Sequence, residues 1–251
     1  MSKDRLQPPS GEARLSYRPP HDWVEKTPAV LCDFDDTTAV ENVAELLLEH
    51  FSKDGTWQEL RRLSRERKIG LKEYQERAFS ATGASREAMK ALVKEKVTLR
   101  PYFKELWRYC RASGIPLAIV TVGLDFYVDA LLEREGLAVP RYAVQTSFTP
   151  NGIAFEYPHA WDGSGASPQD VCQGWGTCKC NVLSRYKRMG HSIFYVGDGR
   201  SDFCPASIAD QVFARSQLAQ LCREKGMPYA EFNDFQDVIQ KLERLATEMK
   251  D

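Results

Sequence analysis

Apolar residues along this chain follow two rhythms, and their alternation predicts the architecture. Val30, Leu31 and Cys32 form a short continuous apolar run bounded by Pro28, the pattern of a strand covered on both faces. Pro116 to Thr121 and His191 to Val196 repeat that pattern, 141–146 adds another strand, and Val212-Phe213-Ala214 a shorter one. Elsewhere the apolar spacing is helical. Val43, Leu46, Leu47, His50 and Phe51 make one amphipathic face, and Trp57, Leu60 and Leu63 carry it past the Asp54-Gly55 break. Further helices are predicted at 71–81, at 85–97 behind a Ser85 cap, and at 102–113 before Gly114. Others start near Asp125 and run from Lys179 to Met189, from Ser216 to Lys225 and from Asp234 to about Met249. Asn151-Gly152 between apolar residues predicts a tight hairpin.

Strands alternating with helices point to an α/β fold, a parallel sheet with right-handed crossovers and helices on both faces. The block from 41 to 99 departs from that rhythm because it is all-helical and highly charged. It is expected to form a helical cap inserted after the first strand. The predicted organisation is an arm at 1–27, a core from 28–40 and 100–251, the cap at 41–99, and a hairpin and long loop at 148–178 near the site.

Composition narrows the partners more than the fold. A net charge of −1 with 27% charged residues offers no electrostatic case for nucleic acid or an anionic membrane. No apolar run approaches the roughly 20 residues of a membrane span. The chain opens without a hydrophobic signal segment, so a cytoplasmic location is expected. Seven scattered cysteines then read as thiols. Cys172, Cys178 and Cys180, with His159, invite a zinc reading, but Cys-x5-Cys-x-Cys is not the paired knuckle spacing of zinc sites.

Chemistry concentrates where the apolar strands end. Asp33 and Asp35 follow the first strand immediately, and two close acids repel unless something positive holds them. A hard divalent cation bound through oxygen does so, in the way Mg²⁺ is usually held beside a phosphate. Thr121 ends the second strand with Val122 and Gly123 behind it and a helix to follow, a seat for an anion. Asp198 ends a third strand and can complete the cation's ligands, with Asp202 supporting it from behind. The run Arg61-Arg62-Leu63-Ser64-Arg65-Glu66-Arg67-Lys68 reads as a solvated helix face, unless one of its cations hangs over a phosphate pocket.

Asp33-Phe-Asp35-Asp-Thr37, Thr121, Lys179 and Gly197-Asp198-Gly199-Arg-Ser-Asp202 together resemble the four motifs of the haloacid dehalogenase-like phosphatases. The resemblance implies a Rossmann-like sheet bearing a helical cap, and a Mg²⁺-dependent phosphomonoesterase working on a small phosphorylated metabolite. In its terms Asp33 is the nucleophile that becomes an aspartyl-phosphate, Asp35 is the acid/base, Thr121 grips the phosphoryl group and Lys179 neutralises charge. Asp33, Asp35 and Asp198 are the expected metal ligands and Asp202 stands behind them. Thr37, Glu41, Asn42, Val122 and Gly123 are expected to set the loop and meet the substrate.

Val122-Gly-Leu-Asp-Phe-Tyr127 is similar to a run of the phosphoserine phosphatase branch, while Gly-Asp-Gly-x-x-Asp-Phe-Cys-Pro looks like its methylthiopentenyl-phosphate and phosphocholine or phosphoethanolamine members. Phosphoserine phosphatases carry Glu where this chain has Asn42, which argues against phosphoserine. With Trp161 and Trp175 in the long loop, a methylthiopentenyl-phosphate-like substrate is favoured, and an aromatic cage for a quaternary ammonium is the competing reading. The same residues would also serve a phosphotransferase, or a sensor that binds a phosphorylated metabolite without turning it over.

Overall fold

The computed structural model describes residues 26–150, 152–163 and 174–248. The expected arm, Asn151 and Cys172 therefore lie outside the described residues, apart from positions 26 and 27. Seven strands form one sheet in the order β4-β3-β2-β1-β5-β6-β7. They are β1 (Pro28–Cys32), β2 (Leu117–Leu124), β3 (Arg141–Thr149), β4 (Gly152–Glu156), β5 (Ser192–Gly197), β6 (Gln211–Ala214) and β7 (Ala230–Glu231). All neighbours are parallel except β3 and β4, which pair as an antiparallel hairpin from Gln145↔Glu156 to Thr149↔Gly152.

Strand β1 lies at the centre because it has no polar face to show to solvent. All five of its residues are buried. Val30 and Cys32 join Ile119, Phe194 and Val196 in one core cluster, while Ala29 and Leu31 join Ala118, Val120, Ile193 and Tyr195 in a second. Alternation of side chains along a strand thus feeds a core on each face of the sheet. A parallel sheet covered in this way aligns its carboxyl ends, which is where open α/β folds bind ligands.

Helices α1 (Val43–Phe51), α2 (Thr56–Arg65), α3 (Leu71–Ser80) and α4 (Arg86–Lys96) fall between β1 and β2. Asn42 starts α1 by accepting from the Glu45 amide at 3.0 Å, and Ser85 starts α4 by accepting from Ala88 at 3.2 Å. The segment is joined to the sheet through two adjacent linkers. Ala39 bridges to Leu99, and the Val40 amide donates to the Thr98 carbonyl at 2.9 Å. Farther along, α3 meets the hairpin, where the Tyr157 hydroxyl donates to Glu76 at 2.5 Å and the Lys72 ammonium lies 4.2 Å from the Tyr157 ring centre.

The remaining helices are α5 (Phe103–Ala112), α6 (Asp125–Glu135), α7 (Lys179–Arg188), a short α8 (Phe203–Ala206), α9 (Ser216–Lys225) and α10 (Phe235–Glu248). Two strands outrun their predicted ends. Strand β2 continues to Leu124 because its pairing with β3 shifts register between Val120 and Leu124, keeping the chain extended past Thr121. Strand β3 continues to Thr149 because β4 supplies it with a partner. Among the described residues no helix is long and apolar enough to cross a membrane.

Candidate active site

The carboxyl ends of β1, β2 and β5 bring Asp33, Thr121 and Asp198 to the floor of one cavity of about 250 Å³. Asp33 follows the last residue of β1, and its amide donates to Val196 of β5 at 2.9 Å, so the sheet itself fixes the backbone of this residue. Its carboxylate is almost wholly buried. Oδ1 accepts from the Phe34 amide at 2.7 Å and from the Lys179 ammonium at 2.8 Å. Among the described residues Oδ2 has no hydrogen-bond partner. Burial, then Asp202, push the Asp33 carboxyl well above its ordinary range, although Lys179 opposes them.

Lys179 opens α7 and is 3% exposed, so its charge is compensated inside the protein. Its second partner is Asp202 Oδ1, at 2.6 Å. Burial works against the ammonium, but Asp202 and Asp33 outweigh it and hold the Lys179 pKa above normal. Asp202 is fully buried and fully engaged. It accepts from the Tyr195 hydroxyl at 2.5 Å as well as from Lys179, and its Oδ2 accepts from the Asp198 and Gly199 amides at 2.9 Å each. Burial would raise its pKa, but Lys179 overrides that and keeps Asp202 below the usual carboxylate value. A carboxylate so saturated shapes the turn that carries Asp198. Gly197 must be glycine for the same reason, since a Cβ there would meet the Asp202 carboxyl carbon at 2.6 Å.

Asp198 accepts from the Thr37 hydroxyl at 3.0 Å through Oδ1. Burial first, then Asp202 and Asp36, raise its pKa to about 7. Among the described residues, ligating oxygens of Asp33, Asp198 and Asp202 lie within 4.8 Å of one another. Asp202 spends its oxygens on protein donors, so Asp33 and Asp198 are the two carboxylates with capacity left. Two carboxylates this close repel, and a positive charge between them would relieve that repulsion. The donor set is all oxygen and suits a hard cation.

The Asp35 side chain is engaged away from Asp33 and Asp198. Its Oδ1 accepts from the amides of Val43 and Ala44, at 2.7 and 3.2 Å, at the start of α1, and its Oδ2 accepts from the Tyr127 hydroxyl at 3.0 Å. The carboxylate is therefore turned toward the start of α1 and Tyr127. Burial is the largest influence and raises its pKa to about 6, against the pull of its three donors.

The other expected contacts divide in the same way. Thr121 is buried, accepts from the Gly123 amide at 2.9 Å, and lines the cavity with Val122 and Gly123. A Cβ on Gly123 would stand 2.0 Å from the Tyr127 hydroxyl, so glycine is required for the Tyr127–Asp35 contact. Thr37 is absent from the cavity lining and acts on Asp198 instead. Glu41 is also absent, because its carboxylate accepts from the Thr98 amide at 2.7 Å in the paired linkers. Asn42 lines the cavity, but it donates to Asp36 at 2.8 Å and caps α1, which occupies both ends of its amide.

Several cavity residues carry no strand-end signal in the sequence. Glu45 on α1, Arg61 and Arg65 on α2, and Tyr74 and Gln75 on α3 form the roof. Arg61 pairs with Glu45 and lies over Trp57, so part of the expected solvated face turns inward. Trp161 packs on Cys178 and Cys180, and neither it nor Trp175 lines the cavity. The 148–178 insertion thus contributes no lining residue among those described. Cys180 donates to Cys204 at 2.9 Å. Arg100, just after the second linker, is 6% exposed and donates to the carbonyls of Thr37 at 2.5 Å and Asp36 at 2.6 Å. Asp36 has φ +56°, a left-handed backbone that such a clamp stabilises.

The sequence profile of the haloacid dehalogenase-like hydrolases matches residues 30–206. A 2-hydroxy-3-keto-5-methylthiopentenyl-1-phosphate phosphatase of Brevibacillus brevis is 31% identical over 90% of this chain and 100% of its own length. A protein of the same name from Geobacillus kaustophilus is 32% identical over 86% of this chain and 96% of its own. Among solved structures, a phosphoserine phosphatase bearing a phospho-aspartyl intermediate analogue superposes with a TM-score of 0.62 over 86% of this chain and 99% of that one, at 17% identity, a likeness of fold. The strand-end carboxylates, the buried Lys179 and the extent of these matches lead to one conclusion: the chain belongs to the haloacid dehalogenase-like hydrolase family.

Proposed function

We propose that this protein is a Mg²⁺-dependent phosphomonoesterase that acts through an aspartyl-phosphate on a small metabolite resembling 2-hydroxy-3-keto-5-methylthiopentenyl-1-phosphate. The observation that carries the reading is Asp33: one oxygen is held by Lys179 and Phe34, the other has no partner among the described residues, and the residue lines the cavity. Relatives of that name, covered along nearly their whole length, support the substrate class.

Asp33 and Asp198, with the main-chain carbonyl of Asp35, would hold Mg²⁺, which when bound neutralises charge on the phosphoryl oxygens. Asp33 Oδ2 attacks phosphorus as the bond to the leaving oxygen breaks. Asp35, whose pKa of about 6 lets it carry a proton under mildly acidic conditions, gives that proton to the leaving group. Water then attacks the phosphorus of the aspartyl-phosphate and yields its proton to Asp35, releasing inorganic phosphate and restoring Asp33. Thr121 and the following amides hold the phosphoryl oxygens while Lys179 balances their charge. The helical segment 41–99 serves as the cap that excludes water during transfer. With Trp161 and Trp175 away from the cavity, an aromatic cage for a quaternary ammonium lacks support. A panel of phosphoesters assayed with and without Mg²⁺ tests the reading. It expects metal-dependent phosphate release that is fastest on a hydroxylated keto-enol phosphate, and equal rates on every ester would reject the substrate assignment.

A further inference from the structure

Gln75, on α3, is 4% exposed and belongs to the cavity roof. Its Nε2 donates to the Val122 carbonyl at 3.0 Å. That bond settles which way the amide faces, because the reverse orientation would oppose two acceptors. Among the described residues its Oε1 is left buried without a hydrogen-bond partner. Such an acceptor is costly unless something donates to it. Val122 directly follows Thr121, so the orphaned oxygen is tethered one residue from the proposed phosphoryl seat. An incoming donor would thus belong to the part of the substrate nearest its phosphate.

Charge decides what kind of donor fits. Arg61 and Arg65 share the roof with Gln75, where Glu45 is already paired with Arg61, while Asp33, Asp35, Asp36 and Asp198 line the rest of the cavity. A neutral hydroxyl meets neither set of charges at a cost, whereas an ammonium at the roof would meet the two guanidinium groups. We infer that Gln75 is a specificity-determining residue whose Oε1 accepts a hydrogen bond from a substrate hydroxyl on the carbon next to the one bearing the phosphate. The inference rests on the phosphatase reading and deepens it. A 2-hydroxyl beside a 1-phosphate is the arrangement named for the relatives' substrate.

The test compares 1,2-propanediol 1-phosphate with n-propyl phosphate, which lacks only the hydroxyl, and with 2-aminoethyl phosphate. The wild-type protein is expected to favour the diol ester by about tenfold or more in kcat/KM, as a site built around one hydrogen bond does. In Gln75→Met, which keeps side-chain volume, and in Gln75→Leu, that preference should shrink to about threefold or less. Each ratio is taken within one protein, so a general loss of activity cancels. An unchanged ratio in both variants, no preference in the wild type, or a preference for the amino ester would overturn the assignment. If no ester is hydrolysed, the phosphatase reading fails on its own. The Gln75 inference is then judged from calorimetric Kd values for the diol and propyl esters, where equal affinities refute it.

Discussion

The floor and the roof of the cavity are built on different principles. On the floor, Asp33, Lys179, Asp202 and Asp198 stand at strand ends or helix starts, with Lys179 and Asp202 fully committed and one oxygen each of Asp33 and Asp198 left facing no donor among the described residues. In the roof, Glu45, Arg61 and Arg65 project from helices whose other faces meet solvent, and Arg61 pairs with Glu45 within the roof itself. The sheet thus fixes the floor carboxylates to within hydrogen-bond tolerance, whereas the Glu45, Arg61 and Arg65 side chains of the roof make no bond to them. Chemistry that must be invariant is carried by backbone position, and selectivity that must vary is carried by exchangeable side chains.

The contrast sets the expected order of effects. On the proposed mechanism Asp33→Asn removes the attacking oxygen and should lower phosphate release by on the order of 10⁴-fold or more while thermal unfolding stays near wild type, since it also removes a carboxylate that burial disfavours. Lys179→Met leaves Asp33 and Asp202 buried without their cation. Urea denaturation should report a loss of about 3–5 kcal/mol, and activity should fall by on the order of 10³-fold. Gly123→Ala forces Tyr127 away from Asp35, and because that ring is buried and stacked on Phe34 it cannot swing clear. Steady-state rates on an alkyl phosphate are expected to drop by roughly 100-fold, with about 1–3 kcal/mol of stability lost. Tyr157→Phe, between roof and hairpin, should change kcat/KM by about threefold or less and stability by about 1 kcal/mol. A large effect from Tyr157 or a small one from Lys179 would erase the distinction between floor and roof.

What the sequence reveals follows the same division. Asp33, Thr121 and Asp198 are legible because each ends an apolar strand, and parallel strands carry their ends to one edge. Lys179 is legible only through resemblance, since a lysine at a helix start has no periodic signal of its own. Asp35 is found by its spacing, but the use of its side chain is not. Sequence spacing places a residue at a turn, whereas the direction of its carboxylate is decided by the start of α1 and by Tyr127, ninety-two positions away. Glu41 and Thr37 show the same limit, each turned to a neighbour that the chain reaches only after folding. Arg61 and Arg65 lie within a charge run whose inward and outward positions differ only by helix rotation, and no local pattern marks Gln75 or Arg100.

The hydrogen bond between Val40 and Thr98 means that 57 intervening residues leave and rejoin the sheet through a single doorway. A detour whose two ends already touch places little demand on the span between those ends. Any compact module with adjacent termini fits the same gap, so one hydrolytic engine can be refitted for a new metabolite by exchanging a continuous stretch of chain.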